Sequence, residues 1–557
     1  MRNHLFTKFL LFTCLALVVW AYFPTIKSDY VSQDQWRAFR YSILEKNPSF
    51  RAMGCLEMIP KFYLATGRPL VWFGECAEHA TVSKIHDFIY LRPIALVVVL
   101  ISVVYLGSII SSFMGGLIMG VIALSLFVLA PGYSFMYFQS LPAILVLVSL
   151  IFAATSFAQL KLWLDRSATN AQNSDRSNVL ISAVLFILAC MMYPSFAYIV
   201  FPMALLRLGF DDRPSLSKRF KDFGSTLIFY IFVSVIYYLL IKIFIMFSHR
   251  NIDVVSAKAY QFVLQLQPGI LWSRVKELLV QFYNMPLLNF FVPSGSTVFL
   301  LGIFSLCAGF EIAKKSQAKG SGFILWSLAI FILSAVVLLG SMLPWLFSHM
   351  DKLDSRYFIP WSFFFCVASI GVVSTIIRNF SDKIKEYMPF LLIVFLLVPV
   401  VVLQNNYSSL EVAVSKAEIE LLRLKLGQWI DQKGYENNKY LLIVRPQKER
   451  PAFIDQMYER GNKGLGDNAV LSSAENPVSL PWMITAVLRE RQDHTVGVAQ
   501  GLRICYFDPK CDEFYLAQGY IVLGITNGDM PIKSRLSPYI INLSLLTSHP
   551  VYSSLKD

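Results

Sequence analysis

The sequence predicts an α-helical polytopic membrane protein of about eleven transmembrane helices, followed by a C-terminal α/β domain outside the membrane. Three observations carry that expectation. Of 557 residues, 56% are hydrophobic and only 15% are Asp, Glu, Lys or Arg, where soluble chains carry roughly 25%, and the mean hydropathy is +0.55. Apolar runs of roughly the 17–25 residues that a bilayer-spanning helix needs recur through the first 404 positions. The formal charge of +13 is unevenly placed, because residues 404–557 hold 17 basic and 17 acidic side chains and the whole excess precedes them. A soluble cytosolic enzyme, a disordered scaffold and a nucleic-acid-binding protein are excluded on these grounds.

The apolar runs are 5–26, 94–112, 115–130, 141–160, 179–193, 195–207, 223–247, 296–313, 322–343, 357–377 and 388–404. The first is a retained helix rather than a cleaved signal, since Trp20-Ala21-Tyr22-Phe23-Pro24 offers no small-residue cleavage site. The fifth and sixth are one apolar stretch broken at Tyr193-Pro194-Ser195, and read as two short helices or one kinked helix. A hairpin there puts the connections around Lys161, Arg207, Lys314 and Lys383 on the side of Arg2 and Lys8, with 16 basic residues against eight acidic. Positive-inside bias then places the N-terminus in the cytoplasm, and the odd count places the C-terminus outside. A single kinked helix breaks this pattern halfway along.

Four parts follow: a first transmembrane helix at 1–26, an external loop at 27–93, a multi-span membrane domain at 94–404 and an external domain at 405–557. Cys14, Cys190, Cys307 and Cys366 fall in apolar runs and read as small core residues. Cys55 with Cys76, and Cys505 with Cys511, form local pairs in external segments, and read as two disulfides in an oxidising compartment. Neither pair has further ligands at zinc-like spacing, so no metal and no cofactor is expected.

The external loop carries the chemistry. Ser32 with Gln35 is a capping-box pattern, and Trp36, Phe39, Ile43 and Leu44 then recur at helical spacing. Asp34 falls in the first turn, where the helix dipole keeps a carboxylate ionised as a general base requires; the plainer reading makes Asp34 a cap and Asp29 a turn residue. Farther on stands Thr66-Gly67-Arg68-Pro69-Leu70, by itself a turn carrying a cation.

An acidic helix start just after the first span, followed by Gly-Arg-Pro-Leu, resembles the serotype-converting O-antigen glucosyltransferases of bacteria and phages, multi-span enzymes of the GT-C class. Their first external loop has a paired acidic motif, an Arg shortly after it, and a Gly-Arg-Pro-Leu run. Gln33-Asp34-Gln35-Trp36-Arg37 and Gly67-Arg68-Pro69-Leu70 occupy those places, with Gln33 where the family has its first acid. The resemblance extends to the layout of the whole chain, but in residues it is confined to these motifs.

The resemblance implies an inverting, metal-independent glycosyltransferase of the bacterial inner membrane. Its donor would be a polyprenyl-phosphate sugar, its sugar glucose, and its acceptor lipopolysaccharide or another surface glycan on the periplasmic face. A flippase and a donor-synthesising enzyme are implied partners. Asp34 is the expected base, with Asp29 as its substitute or orienting partner, while Arg37 and Arg68 are expected to meet the donor phosphate. Arg356-Tyr357 at the start of the tenth run, with Lys352 just before, resembles the place where GT-C enzymes meet the lipid phosphate; interfacial anchoring explains the same residues. Lys242 lies within an apolar run near its external end, as a phosphate ligand or a snorkelling cation.

Within 248–293, Ile270, Leu271, Val275, Leu278, Leu279 and Phe282 repeat at helical spacing and predict helices lying on the membrane surface. In the tail, 408–432 and 482–491 read as helices and 440–444 and 520–525 as strands, while Gly461, Gly464 and Gly466 lack a phosphate loop's Lys-Ser/Thr ending. Trp482, Tyr506 and Tyr515 are candidates to stack on acceptor sugars. Three alternatives stay open. A lipid-sugar transporter or flippase predicts inverted repeats, and none is legible. A glycan polymerase or ligase with a lipid-linked donor predicts its large loop late in the chain. A non-enzymatic membrane scaffold is the third.

Overall fold

The structure is a computed structural model. It describes residues 2–27, 31, 67–82, 84–130, 140–167, 176–211, 215–248, 267–284, 295–316, 321–346, 358–377 and 382–406, and beyond them four strands and a few isolated positions. It is an α-helical polytopic membrane protein. Among the described residues eight helices are long and apolar enough to cross a bilayer: Leu5–Lys27, Ile85–Met114, Ile144–Arg166, Leu216–Met246, Ser296–Lys315, Gly322–Gly340, Ile359–Ile377 and Tyr387–Gln404.

In chain order the helices are α1 (Arg2–Lys27), α2 (Val71–Thr81), α3 (Phe88–Met114), α4 (Leu117–Val128), α5 (Ser140–Ser167), α6 (Arg176–Met192), α7 (Pro194–Ala197) and α8 (Val200–Phe210). There follow α9 (Leu216–Ser248), α10 (Pro268–Asn284), α11 (Ser296–Lys315), α12 (Ser321–Gly340), α13 (Leu343–Leu346), α14 (Ile359–Ile377) and α15 (Asp382–Asn406). Each of the eleven apolar runs becomes helix, but they are not alike. At about 1.5 Å per residue, the 12 residues of α4 and the 11 of α8 span about 18 and 16 Å, short of a hydrocarbon core of about 30 Å. Every residue from Val200 to Phe210, and all from Met119 to Val128, is buried. Protein on all sides, rather than lipid, is what their all-round apolar composition answers to.

The core is centred on α14, whose span is 78% buried, whereas α9 is 22% buried and shows Ile228, Phe232, Val235 and Leu239 outward. Helices α4, α8 and α11 pack on α14, and α1 packs on α15, α4 and α3. Crossings are close where side chains are absent: a Cβ on Gly120 of α4 would fall on the Gly107 carbonyl of α3. The loop-to-span boundary also differs from the expected 93/94, because α3 begins at Phe88 and holds Pro93 as its sixth residue, where the missing N–H removes one helical hydrogen bond, to the Ile89 carbonyl. Arg92 is drawn into the protein with it, 1% exposed.

The stretch broken at Pro194 is a hairpin. Ser149 of α5 donates to the carbonyls of Ala189 (2.9 Å) and Tyr193 (3.2 Å), so the break lies beside Ser149. One hydroxyl contact lower, Ser156 meets Ser182 at 3.0 Å, so α6 runs antiparallel to α5. Past the break the chain returns, since Arg207 pairs with Asp165 near the far end of α5 at 3.0 Å. Tyr193 is extended (φ −153°, ψ 101°), as a residue before proline prefers, and Pro194 starts α7. A single kinked helix would have carried Arg207 to the other end of the bundle.

In the tail, strands β1 (Tyr440–Arg445), β2 (Leu502–Tyr506), β3 (Ile521–Thr526) and β4 (Ile540–Asn542) form a parallel sheet in the order β2-β1-β3-β4. Both expected strands are present, and the unbroken apolar runs in β1 and β3 suit a parallel sheet covered on both faces. Most of 408–432 and 482–491 lies outside the described residues.

Candidate functional site

The Gly67-Arg68-Pro69-Leu70 segment is seated on the tip of the hairpin. Gly67 has φ 73°, a left-handed conformation that glycine adopts without penalty, and its carbonyl accepts a hydrogen bond from the Tyr237 hydroxyl of α9 at 2.5 Å. The Leu70 N–H donates to the carbonyl of Met191, in the last turn of α6, at 3.1 Å. Between these two ties the Arg68 guanidinium stands 5.2 Å from the centre of the Tyr193 ring, within cation–π range. Tyr193 and Tyr237 are buried, and Arg68 is half-buried. The tip is not at the rim: Ser149 stands nine residues, or about 14 Å, along α5 from its start at Ser140.

Among the described residues no carboxylate and no hydrogen-bond acceptor pairs with the Arg68 guanidinium. One face rests on an aromatic ring while the planar N–H fork is left for a ligand, and a phosphate matches that fork. The segment leads directly into α2, which packs on α5, and whose Cys76 is buried and disulfide-bonded.

Around this end of the bundle other polar groups are structural. Arg92 donates to the Thr25 carbonyl at the end of α1 (3.1 Å) and lies 5.8 Å from the Phe88 ring, and the Tyr22 hydroxyl donates to the Val128 carbonyl at the end of α4. Arg274 ties the surface helix α10 to the bundle, donating to the carbonyls of Trp345 (3.3 Å) and Leu346 (2.9 Å) of α13. The outer face of α10 shows Trp272, Leu279, Val280 and Tyr283. Burial pushes the Glu277 carboxyl on α10 upward from its ordinary pKa, and Arg274 pulls it partly back.

The hairpin's base is the opposite case. Arg207 reaches Asp165 of α5 (3.0 Å), Asp211 (3.3 Å) and Asp222 of α9 (3.3 Å), with Lys218 3.9 Å from Asp165. Arg219 donates to the Leu208 carbonyl at 3.2 Å. Arg207, Asp211, Arg219 and Asp222, with Thr226 and Phe157, line a small cleft here.

Of the expected site residues, the structure thus places Arg68 at the hairpin tip. It places Lys242 five residues beyond Tyr237, half-buried, with its ammonium 5.6 Å from the Tyr238 ring; no contact joins it to Arg68. Cys505 lies in β2, in register with Ile443. Asp29, Asp34, Arg37, Cys55, Lys352, Arg356, Tyr357 and Cys511 lie outside the described residues. Cys14, Cys190, Cys307 and Cys366 are free thiols in the helices. No group of three or more His, Cys, Asp or Glu side chains spaced to hold a metal occurs among the described residues. Tyr193 and Tyr237 were not singled out as site residues. The signal for Tyr237 was present: Asp222, Thr226, Tyr230, Ser234 and Tyr237 recur at steps of four and three, a polar stripe along an otherwise apolar helix. No family model matches the chain, and no curated protein or solved structure matches it.

Proposed function

We propose that this chain is a membrane glycosyltransferase that moves a sugar, glucose by its resemblance, from a polyprenyl-phosphate carrier to a surface glycan. The single observation that carries the reading is the guanidinium of Arg68, without a partner among the described residues, set on Tyr193 below the rim of a helical bundle and within the Gly-Arg-Pro-Leu motif. In the reaction proposed, Asp34 takes the proton of an acceptor hydroxyl, whose oxygen attacks the anomeric carbon. The bond from that carbon to the phosphate oxygen breaks, and its electron pair leaves with the polyprenyl phosphate.

A phosphodiester with one negative charge thereby becomes a monoester with up to two. Charge develops on the leaving phosphate, which is where a fixed cation lowers the barrier. Arg68 is assigned that task, with Arg37 and Arg356 as further cations and Asp29 as partner to Asp34. The hairpin supports the expected orientation, because both ends of 176–210 lie at one end of the bundle. The basic connections share that end, which the proposal places in the cytoplasm, with Arg68, the disulfide and the tail α/β domain opposite.

The test compares the sugar composition of the surface glycan in cells with the intact protein, without it, with Asp34→Asn and with Arg68→Ala. The proposal expects one sugar to be lost without the protein and with Asp34→Asn, and reduced with Arg68→Ala. Unchanged composition in all of them would sink it.

A further inference from the structure

We infer that Tyr237 is a positioning residue for Arg68: its hydroxyl, anchored in α9, holds the Gly67 carbonyl so that the guanidinium lies over Tyr193 with its fork turned to a lipid-linked phosphate. This rests on the reading that Arg68 meets the donor phosphate. Tyr237 is 2% exposed and meets Gly67 across 170 residues of sequence. The bond is made to a residue in left-handed conformation (φ 73°), directly before Arg68. On the other side of Arg68, Leu70 is tied to Met191 of α6 at 3.1 Å. The two ties come from different helices, one from α9 and one from the hairpin, and Arg68 sits between them. A long side chain is thereby given one backbone position and one flat support, Tyr193, before any ligand arrives. Pre-ordering of this kind lowers the cost of binding without adding a contact to the ligand.

Tyr237 does not touch the phosphate in this arrangement, so its contribution must pass through Arg68. That distinguishes it from a packing residue. The probe is dodecyl phosphate, a lipid phosphate monoester, titrated into the full chain in detergent. Tyr237→Phe keeps the ring and removes only the hydroxyl. It should weaken binding about fivefold, the size of one neutral hydrogen bond, with the thermal midpoint nearly unmoved. Arg68→Ala should weaken binding more, and adding Tyr237→Phe to Arg68→Ala should change nothing further.

The inference is overturned if Tyr237→Phe binds as the unaltered chain does, if its effect persists undiminished in the Arg68→Ala background, or if Arg68→Ala itself binds normally. Should Tyr237→Phe lower the yield of folded protein, Tyr193→Leu tests the same seat from the hairpin side, and normal binding by that variant also overturns it. The glycan readout separates this idea from the enzymatic one. Phosphate binding that depends on Tyr237, with a glycan indifferent to Asp34→Asn, would remove the transferase and leave the seat. A glycan dependent on Asp34, with additive Tyr237 and Arg68 effects, would do the reverse.

Discussion

Two arginines mark the two ends of one hairpin, and they are treated in opposite ways. At its base, Arg207 is surrounded by Asp165, Asp211 and Asp222, and its side chain is 9% exposed. At its tip, Arg68 has an aromatic ring and no carboxylate among the described residues. A guanidinium whose fork is filled by carboxylates holds helices together and has nothing left for a ligand. One that is supported but unfilled adds little to stability and is free to bind an anion. Sign and residue type are the same in both; the difference lies in what the neighbours leave unfilled.

The comparison breaks most readily at the base. Arg207→Ala removes the cation shared by three carboxylates, two of them buried, and should cost about 3–5 kcal/mol of stability, read as a large fall in the thermal midpoint in detergent. Adding Asp222→Asn should return part of it; a loss under about 1 kcal/mol would mean that the base is not a clasp. Next comes the covalent tie behind the tip. Cys76→Ser should cost about 2–4 kcal/mol under oxidising conditions and nothing when the unaltered chain is first reduced, a pairing checked by comparing midpoints with and without reductant.

Arg68→Ala should change stability by only about 1 kcal/mol or less, the size of the single cation–π contact it loses, while dodecyl phosphate affinity falls at least about tenfold, or 1.4 kcal/mol. Arg68→Lys should recover only part of this, since an ammonium lacks the planar fork. Equal destabilisation by Arg68→Ala and Arg207→Ala would erase the contrast. The smallest effect concerns Glu277, whose pKa is raised from 4.5 by burial. A raised carboxyl contributes stability below its unfolded pKa and loses it as pH rises through the folded value. Thermal midpoints taken from pH 4 to 7 should therefore fall more in the unaltered chain than in Glu277→Gln.

Much of the fold was legible because apolar runs report helices directly. What they could not report was the difference between a helix that faces lipid and one that faces protein, so α4 and α8 counted as spans beside α9. The break at Tyr193-Pro194 was visible, but whether the chain turned back was decided by partners distant in sequence, Ser149 and Asp165. Arg207 was legible as one basic residue in a topological tally; of its three carboxylates only Asp211, four residues on, is within reach of a local pattern. Arg68 was legible only through its motif. Tyr237 was missed because its meaning lies in the loop 170 residues earlier that it holds, although the stripe from Asp222 upward pointed along the correct face.

The broken helix also bears on how Arg68 persists without a carboxylate partner among the described residues. A cation withdrawn partly from water needs negative potential nearby, and a carboxylate would occupy the fork that a ligand needs. Helix α6 stops at Met192 instead of running on, and its last turn is the one tied to Leu70 through Met191. Its aligned peptide dipoles end there with a charge equivalent to about −0.5. That partial charge is spread over backbone carbonyls and cannot be displaced or protonated. The chain thus gives its arginine a counter-charge that attracts without competing, and it does so by ending a helix inside the bundle.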